Sequence, residues 1–222
     1  MTIQACIFDL DGVICDTAQY HYLAWKQLAD ELGFEFTKED NERLKGVSRM
    51  DSLNILLEIG QLTIDEEAKL ELADRKNQVY VDFIRQIGPE EILDGVKPFL
   101  VALRAQGIKI ALGSVSKNAE MILNNLQLKS YFDAIIDGTK ITNAKPDPEV
   151  FLRGAQELSV NPDECVVFED AFSGVEAAIR AGMKCVGVGS PDILGRADRI
   201  ITGFQDVKLS LLSEIEDVGR ET

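Results

Sequence analysis

The chain of 222 residues (24.5 kDa) carries 38 acidic against 23 basic residues, a formal charge of −15, with 45% hydrophobic and 27% charged residues. That balance excludes a disordered chain, and the length sustains a sizeable core without disulfide staples. It also argues against a nucleic-acid partner, since affinity for a phosphate backbone rests on clustered Lys and Arg, while a small anion in a local basic pocket stays possible.

The opening MTIQACIFDLDG has neither a basic n-region nor a long apolar h-region, and no apolar run approaches the length of a membrane span. A soluble, cytoplasmic protein with no membrane partner is the expectation. Residues 3–8 read as a short buried strand, ended at once by Asp9-Leu10-Asp11-Gly12. From about residue 16 to 92 there is no clear strand. Ala18, Tyr22, Trp25, Ala29 and Leu32 recur at helical spacing, and Thr63-x-x-Glu66 reads as a capping box opening a helix that runs to about Gln86. Further apolar bursts follow at 108–112, 134–136, 165–168 and 185–188, separated by helix-period segments at 97–105, 119–126, 149–158 and 174–181. Strands alternating with helices of this length predict an α/β fold, a parallel sheet with helices on both faces. Asp147-Pro148-Glu149 reads as a helix start, and Gly107 and Gly182 as helix stops. The expected organisation is a core of residues 1–15 and 93–222, interrupted by an all-helical domain at 16–92, with hinges at 15–17 and 89–95. Cys6, Cys15, Cys165 and Cys185 are scattered, which suits small buried hydrophobes better than a disulfide or zinc site; Cys15, beside the acidic motif, is the one that could be a reactive thiol. A single histidine, His21, leaves no zinc or Cys–His catalytic set.

Ligands of an open parallel sheet bind beyond the carboxyl ends of its strands. Here those positions hold Asp9 and Asp11, Ser114, Lys145, and Glu169-Asp170. Asp-Leu-Asp-Gly alone also reads as a capped turn. With Glu169 and Asp170 arriving at the same edge, the crowded carboxylates call for a hard divalent cation, and an oxygen-only set suits Mg²⁺. Ser114 and Lys145 fit one phosphate, the hydroxyl as donor and the ammonium as point charge, with Pro146 keeping Lys145 off a helix.

Phe8-Asp9-Leu10-Asp11-Gly12-Val13, Ser114, Lys145-Pro146 and Glu169-Asp170, in that order, resemble the motifs of the haloacid dehalogenase superfamily over essentially the whole chain. The resemblance implies a Rossmann-like core, a helical cap inserted after the first strand, and Mg²⁺-dependent chemistry through an aspartyl phosphate. Asp16-Thr17, His21, Trp25, Lys45-Gly46-Val47-Ser48-Arg49, Arg75-Lys76-Asn77 and Ser114-x-Ser116-Lys117-Asn118 are similar to its hexose-phosphate mutase branch. That branch interconverts β-D-glucose 1-phosphate and glucose 6-phosphate, with β-glucose 1,6-bisphosphate as primer and intermediate. Ala171 departs from the pattern, since many relatives carry Ser there.

The resemblance implies Asp9 as nucleophile and Asp11 as general acid and base, with Ser114 and Lys145 neutralising the transferring group. It implies Mg²⁺ held by Asp9, Glu169, Asp170 and the backbone carbonyl of Asp11. Thr17 and His21 support Asp11. Trp25, Lys45, Gly46, Val47 and Ser48 would bind the substrate, and Arg49 would clamp the distal phosphate. Lys76, Ser116, Lys117 and Asn118 would contact the sugar or that phosphate. A monomer is the expected state. Rival readings are a sugar-phosphate phosphatase with the same core motifs, and a non-catalytic phosphosugar sensor.

Overall fold

The computed structural model describes residues 2–216. Its centre is a sheet of six parallel strands in the order β3-β2-β1-β4-β5-β6. They are β1 (Ala5–Phe8), β2 (Lys109–Gly113), β3 (Ala134–Ile136), β4 (Cys165–Glu169), β5 (Lys184–Val188) and β6 (Arg199–Ile201). The first five lie where the apolar bursts predict them. β6 escapes the sequence reading because it is a short edge strand without an apolar run.

Alternate side chains leave a strand on opposite faces, so β1 feeds two cores. Cys6 and Phe8 pack with residues of α5 (Val96–Ala105), α6 (Ala119–Asn125) and α10 (Ser210–Glu216), while Ala5 and Ile7 pack with α7 (Glu149–Leu158) and α8 (Phe172–Arg180). α9 (Pro191–Leu194) adds Leu194 to the second of these. Phe8 stacks on Phe168 with ring centroids 4.6 Å apart. Register then carries the chemistry. Phe8 lies level with Leu112 and Phe168, so Asp9 emerges beside Gly113 and Glu169 at one edge of the sheet.

Between β1 and α5 stands the inserted helical cap: α1 (Ala18–Leu32), α2 (Lys38–Glu42), α3 (Arg49–Ile59) and α4 (Glu66–Ile84). It has its own apolar cluster, including Trp25, Leu28, Leu53, Leu56 and Leu72. The buried stripe of α1 is Ala24, Trp25, Leu28 and Ala29, with Tyr22 and Leu32 only half-buried at its margin. The expected capping box at Thr63 is not formed. Asp65 caps α4 instead, accepting from the Ala68 N–H at 2.8 Å, and the helix ends at Ile84. A carboxylate two residues later takes a first-turn donor of a helix that begins at Glu66 and suits the positive helix end. Asp147 does accept the Glu149 N–H at 2.9 Å, although Pro148 occupies the cap position. Gly107 and Gly182 have positive φ just past their helices, as expected of stops.

The two chain segments joining core and cap run side by side. Cys15 bridges to Ile92, the Asp16 N–H donates to the Glu91 carbonyl at 3.2 Å, and the Leu93 N–H donates to the Ile14 carbonyl at 3.0 Å. All four cysteines are buried, and none is in a disulfide. Burial pushes the Cys15 thiol well up, so the reactive-thiol reading fails and packing remains.

Candidate active site

Lys145 organises the floor of the site. Its ammonium is buried and donates to Asp9 Oδ1 at 2.5 Å and to Glu169 Oε2 at 2.9 Å, and it lies 4.8 Å from the Phe151 ring centre. Burial alone would discharge it; the Asp9 and Glu169 carboxylates outweigh burial and hold it above the usual lysine range. Glu169 and Asp170 are both pushed upward, chiefly by burial, with the neighbouring Asp9 carboxylate adding to it. One lysine therefore leaves the floor short of positive charge. Oxygens of Asp9, Glu169 and Asp170 lie within 4.8 Å of one another, a donor set that could hold a hard cation. Gly12, at φ +81°, backs this cluster: a side chain there would overlap the Asp170 carboxylate.

Asp11 turns away from those oxygens. Its Oδ1 accepts from the buried Thr17 hydroxyl, and its Oδ2 faces His21 Nε2 at 3.9 Å. Thr17 precedes α1 yet its side chain makes no cap bond, so the hydroxyl is spent on Asp11. Burial, then repulsion by Asp9, raises the Asp11 carboxyl to about 6. The His21 and Lys76 pKa values are both driven well down, in each case by burial first. Lys76 Nζ and His21 Nδ1 are 2.8 Å apart. If Lys76 donates there, the remaining proton of neutral His21 sits on Nε2, on the side of Asp11. Lys76 is only 3% exposed and lies 4.5 Å from the Trp25 ring centre. Periodicity alone would leave a lysine of α4 in solvent; only packing against Trp25 and Tyr80 buries it.

The remaining predicted residues wall a cleft of about 320 Å³ between core and cap. From the core come Ser114, Ser116, Lys117 and Asn118; Ser114 Oγ accepts the Ser116 N–H at 3.1 Å, leaving its own proton free to donate. Asn118 reaches across to Asn77 of the cap, Nδ2 to Oδ1 at 3.0 Å. From the cap come Lys45, Gly46, Val47, Ser48 and Arg49. Ser48 caps α3, its Oγ accepting from the Asp51 N–H at 3.1 Å, which fixes Arg49 as the first residue of the helix at the cleft wall. Arg49 pairs with Asp74, at 3.6 Å. Trp25 and Lys76 also line this cleft, whereas Thr17, Lys145 and Glu169 lie beneath its surface. Arg75, quoted in the same cap motif, points elsewhere and pairs with Glu31. Asn41, Ser52 and Thr142 line the cleft too, unmarked by any sequence signal.

An aspartate at the end of the first strand, a lysine clamped between carboxylates and a cap-covered cleft accompany a match of the haloacid dehalogenase-like hydrolase family model to residues 3–182; the chain belongs to that family and is a phosphoryl-transfer enzyme. Its relatives narrow the class. The chain is 43% identical to a β-phosphoglucomutase of Bacillus subtilis (strain 168) over 96% of its own length and 95% of that protein's. A crystal structure of β-phosphoglucomutase from Clostridium difficile superposes with a TM-score of 0.92 at 43% identity, covering 96% of this chain and 97% of that one. A fructose-1-phosphate phosphatase of Escherichia coli (strain K12) is more distant, 34% identical over 82% of this chain and 94% of its own.

Proposed function

We propose that the protein interconverts β-D-glucose 1-phosphate and glucose 6-phosphate through an aspartyl phosphate on Asp9, with β-glucose 1,6-bisphosphate as primer and intermediate. The observation that carries this reading is the joining of two sites in one cleft: the Asp9–Lys145–Glu169 floor and the cap segment 45–49 above it. Identity of 43% along nearly the full chain to β-phosphoglucomutase supports it over the phosphatase. A non-catalytic sensor has no need of a nucleophile, acid–base group, phosphate donors and metal ligands together.

In this reading Asp9 attacks the phosphoryl group in line, while Lys145 and Ser114 donate to its oxygens and stabilise the charge that spreads over them. Asp9, Glu169, Asp170 and the Asp11 carbonyl would hold Mg²⁺, which would supply further neutralisation of charge and offset the carboxylate repulsion. Asp11 protonates the departing sugar oxygen and later takes the proton of the incoming hydroxyl; a carboxyl raised to about 6 can hold a proton near neutral pH. Thr17 and His21 orient it. The cap, residues 16–92 on a core of 1–15 and 93–222, closes over the sugar and keeps water out. Arg49 clamps the phosphate that is not being transferred, and Lys76, Ser116, Lys117 and Asn118 face the sugar and that phosphate.

The test is to incubate the protein with Mg²⁺, β-glucose 1-phosphate and catalytic glucose 1,6-bisphosphate and to follow products by ³¹P NMR. Glucose 6-phosphate accumulating with little free phosphate is expected. Phosphate released without isomerisation would make the protein a phosphatase.

A further inference from the structure

The cap segment over the metal-binding carboxylates is fastened to the core by a residue that none of the chemistry above uses. Ser173, in the first turn of α8, donates its hydroxyl proton to the Lys45 carbonyl at 3.3 Å. The contact is made possible by small neighbours. Gly46 has φ +71°, a side chain on it would collide with Ser173 Oγ, and its Cβ would stand 3.4 Å from that of Ala171. Ala171, buried between Asp170 and α8, leaves room for the loop to come down. The same lysine reaches the core a second time: its ammonium lies 3.7 Å from Asp170 Oδ2 and 3.1 Å from Glu42 of the cap. Lys45 is thus held at its main chain by Ser173 and faced at its side chain by Asp170, and three residues further on Ser48 opens the helix that carries Arg49.

We propose that Ser173 is a positioning residue: its bond to the Lys45 carbonyl latches segment 45–49 over the carboxylates and sets how often water, rather than sugar, attacks the phosphorylated Asp9. The proposal rests on the mutase reading. In either attack the bond between phosphorus and the Asp9 oxygen breaks. A new bond forms to the hydroxyl or water oxygen, and the proton of that oxygen passes to Asp11. The products differ only in acceptor, sugar phosphate or inorganic phosphate, so the partition depends on whether the loop excludes water while the sugar sits in place. A single neutral hydrogen bond suits that task, because it biases closure modestly and still permits opening for exchange of sugar.

The experiment compares wild type with Ser173→Ala and Ser173→Thr. It reads free phosphate formed per hexose isomerised, and separately the rate of tryptic cleavage after Lys45 without substrate, followed by mass spectrometry. Loss of one neutral hydrogen bond should raise the phosphate ratio of Ser173→Ala roughly three- to tenfold, with faster cleavage at Lys45, and Ser173→Thr should restore both. Unchanged ratio and cleavage in Ser173→Ala would overturn the latch, as would Ser173→Thr behaving like Ser173→Ala, which would make packing and not the hydroxyl the cause. A wild type that only hydrolyses would sink the mutase reading instead, and the cleavage comparison would still decide the latch.

Discussion

At the sheet edge the side chains of Asp9, Lys145 and Glu169 are 10% exposed or less, whereas the Lys45 and Arg49 side chains of the cap are 30% and 25% exposed. The two walls of one cleft are built differently. The floor is preorganised: strand register places its groups, and buried ion pairs hold them before any substrate arrives. The cap wall hangs on a helix cap, a glycine with positive φ and bonds a few kcal/mol deep at most, which would suit the opening and closing proposed for it. Floor residues should therefore govern whether phosphoryl transfer happens, and cap residues to whom the phosphoryl group goes.

Four substitutions can break or sharpen that contrast. Asp9→Asn removes the nucleophile, and turnover should fall by at least about 10⁴-fold with no phosphoenzyme visible by mass spectrometry. Residual turnover near wild type would move the nucleophile elsewhere. Asp11→Asn should cost about 10²–10⁴-fold in kcat while Mg²⁺ affinity, read by calorimetry, holds, because its side chain turns from the acidic cluster. A lost Mg²⁺ site would show that this carboxylate is a ligand after all.

Lys145→Met tests the floor as structure. It leaves Asp9 and Glu169 buried without the ammonium they share, so about 3–5 kcal/mol of stability should be lost, seen as a lower denaturant midpoint. Added Mg²⁺ should recover part of that loss by binding the folded state. No recovery would speak against a cation among those carboxylates. The smallest effect is expected at the cap: Arg49→Lys keeps the charge but not the fork, raising KM for β-glucose 1-phosphate roughly tenfold with kcat nearly kept. Equal losses in kcat and kcat/KM would instead place Arg49 on the transition state, and the division between floor and cap would fall.

Much of the core was legible because strand ends are local signals. A short apolar run followed by Asp9-Leu10-Asp11-Gly12, or by Glu169-Asp170, announces both the strand and the group it presents. From its own periodicity the cap was legible only as helix content, and its cleft residues came from the family resemblance. Thr63 carries a capping pattern, yet Asp65 caps α4, since both types of side chain can cap and the geometry of the entering chain starts the helix at Glu66. Arg75 and Lys76 are adjacent and alike in sequence, but one is exposed against Glu31 and the other buried against His21. β6 went unseen because Arg199-Ile200-Ile201 offers only two apolar residues in a row and its pairing with β5 completes it.

By itself the sequence determined the class of fold, the order of the strands along the chain and the residues that stand at their carboxyl ends, because period, turn chemistry and apolar bursts act over a few residues. The tertiary structure alone decided which titratable groups are paired: Lys145 between Asp9 and Glu169, and Lys76 against His21. Those contacts join residues far apart in the chain. Burial then sets their protonation, because removing water makes each charge depend on the partner that folding brings beside it.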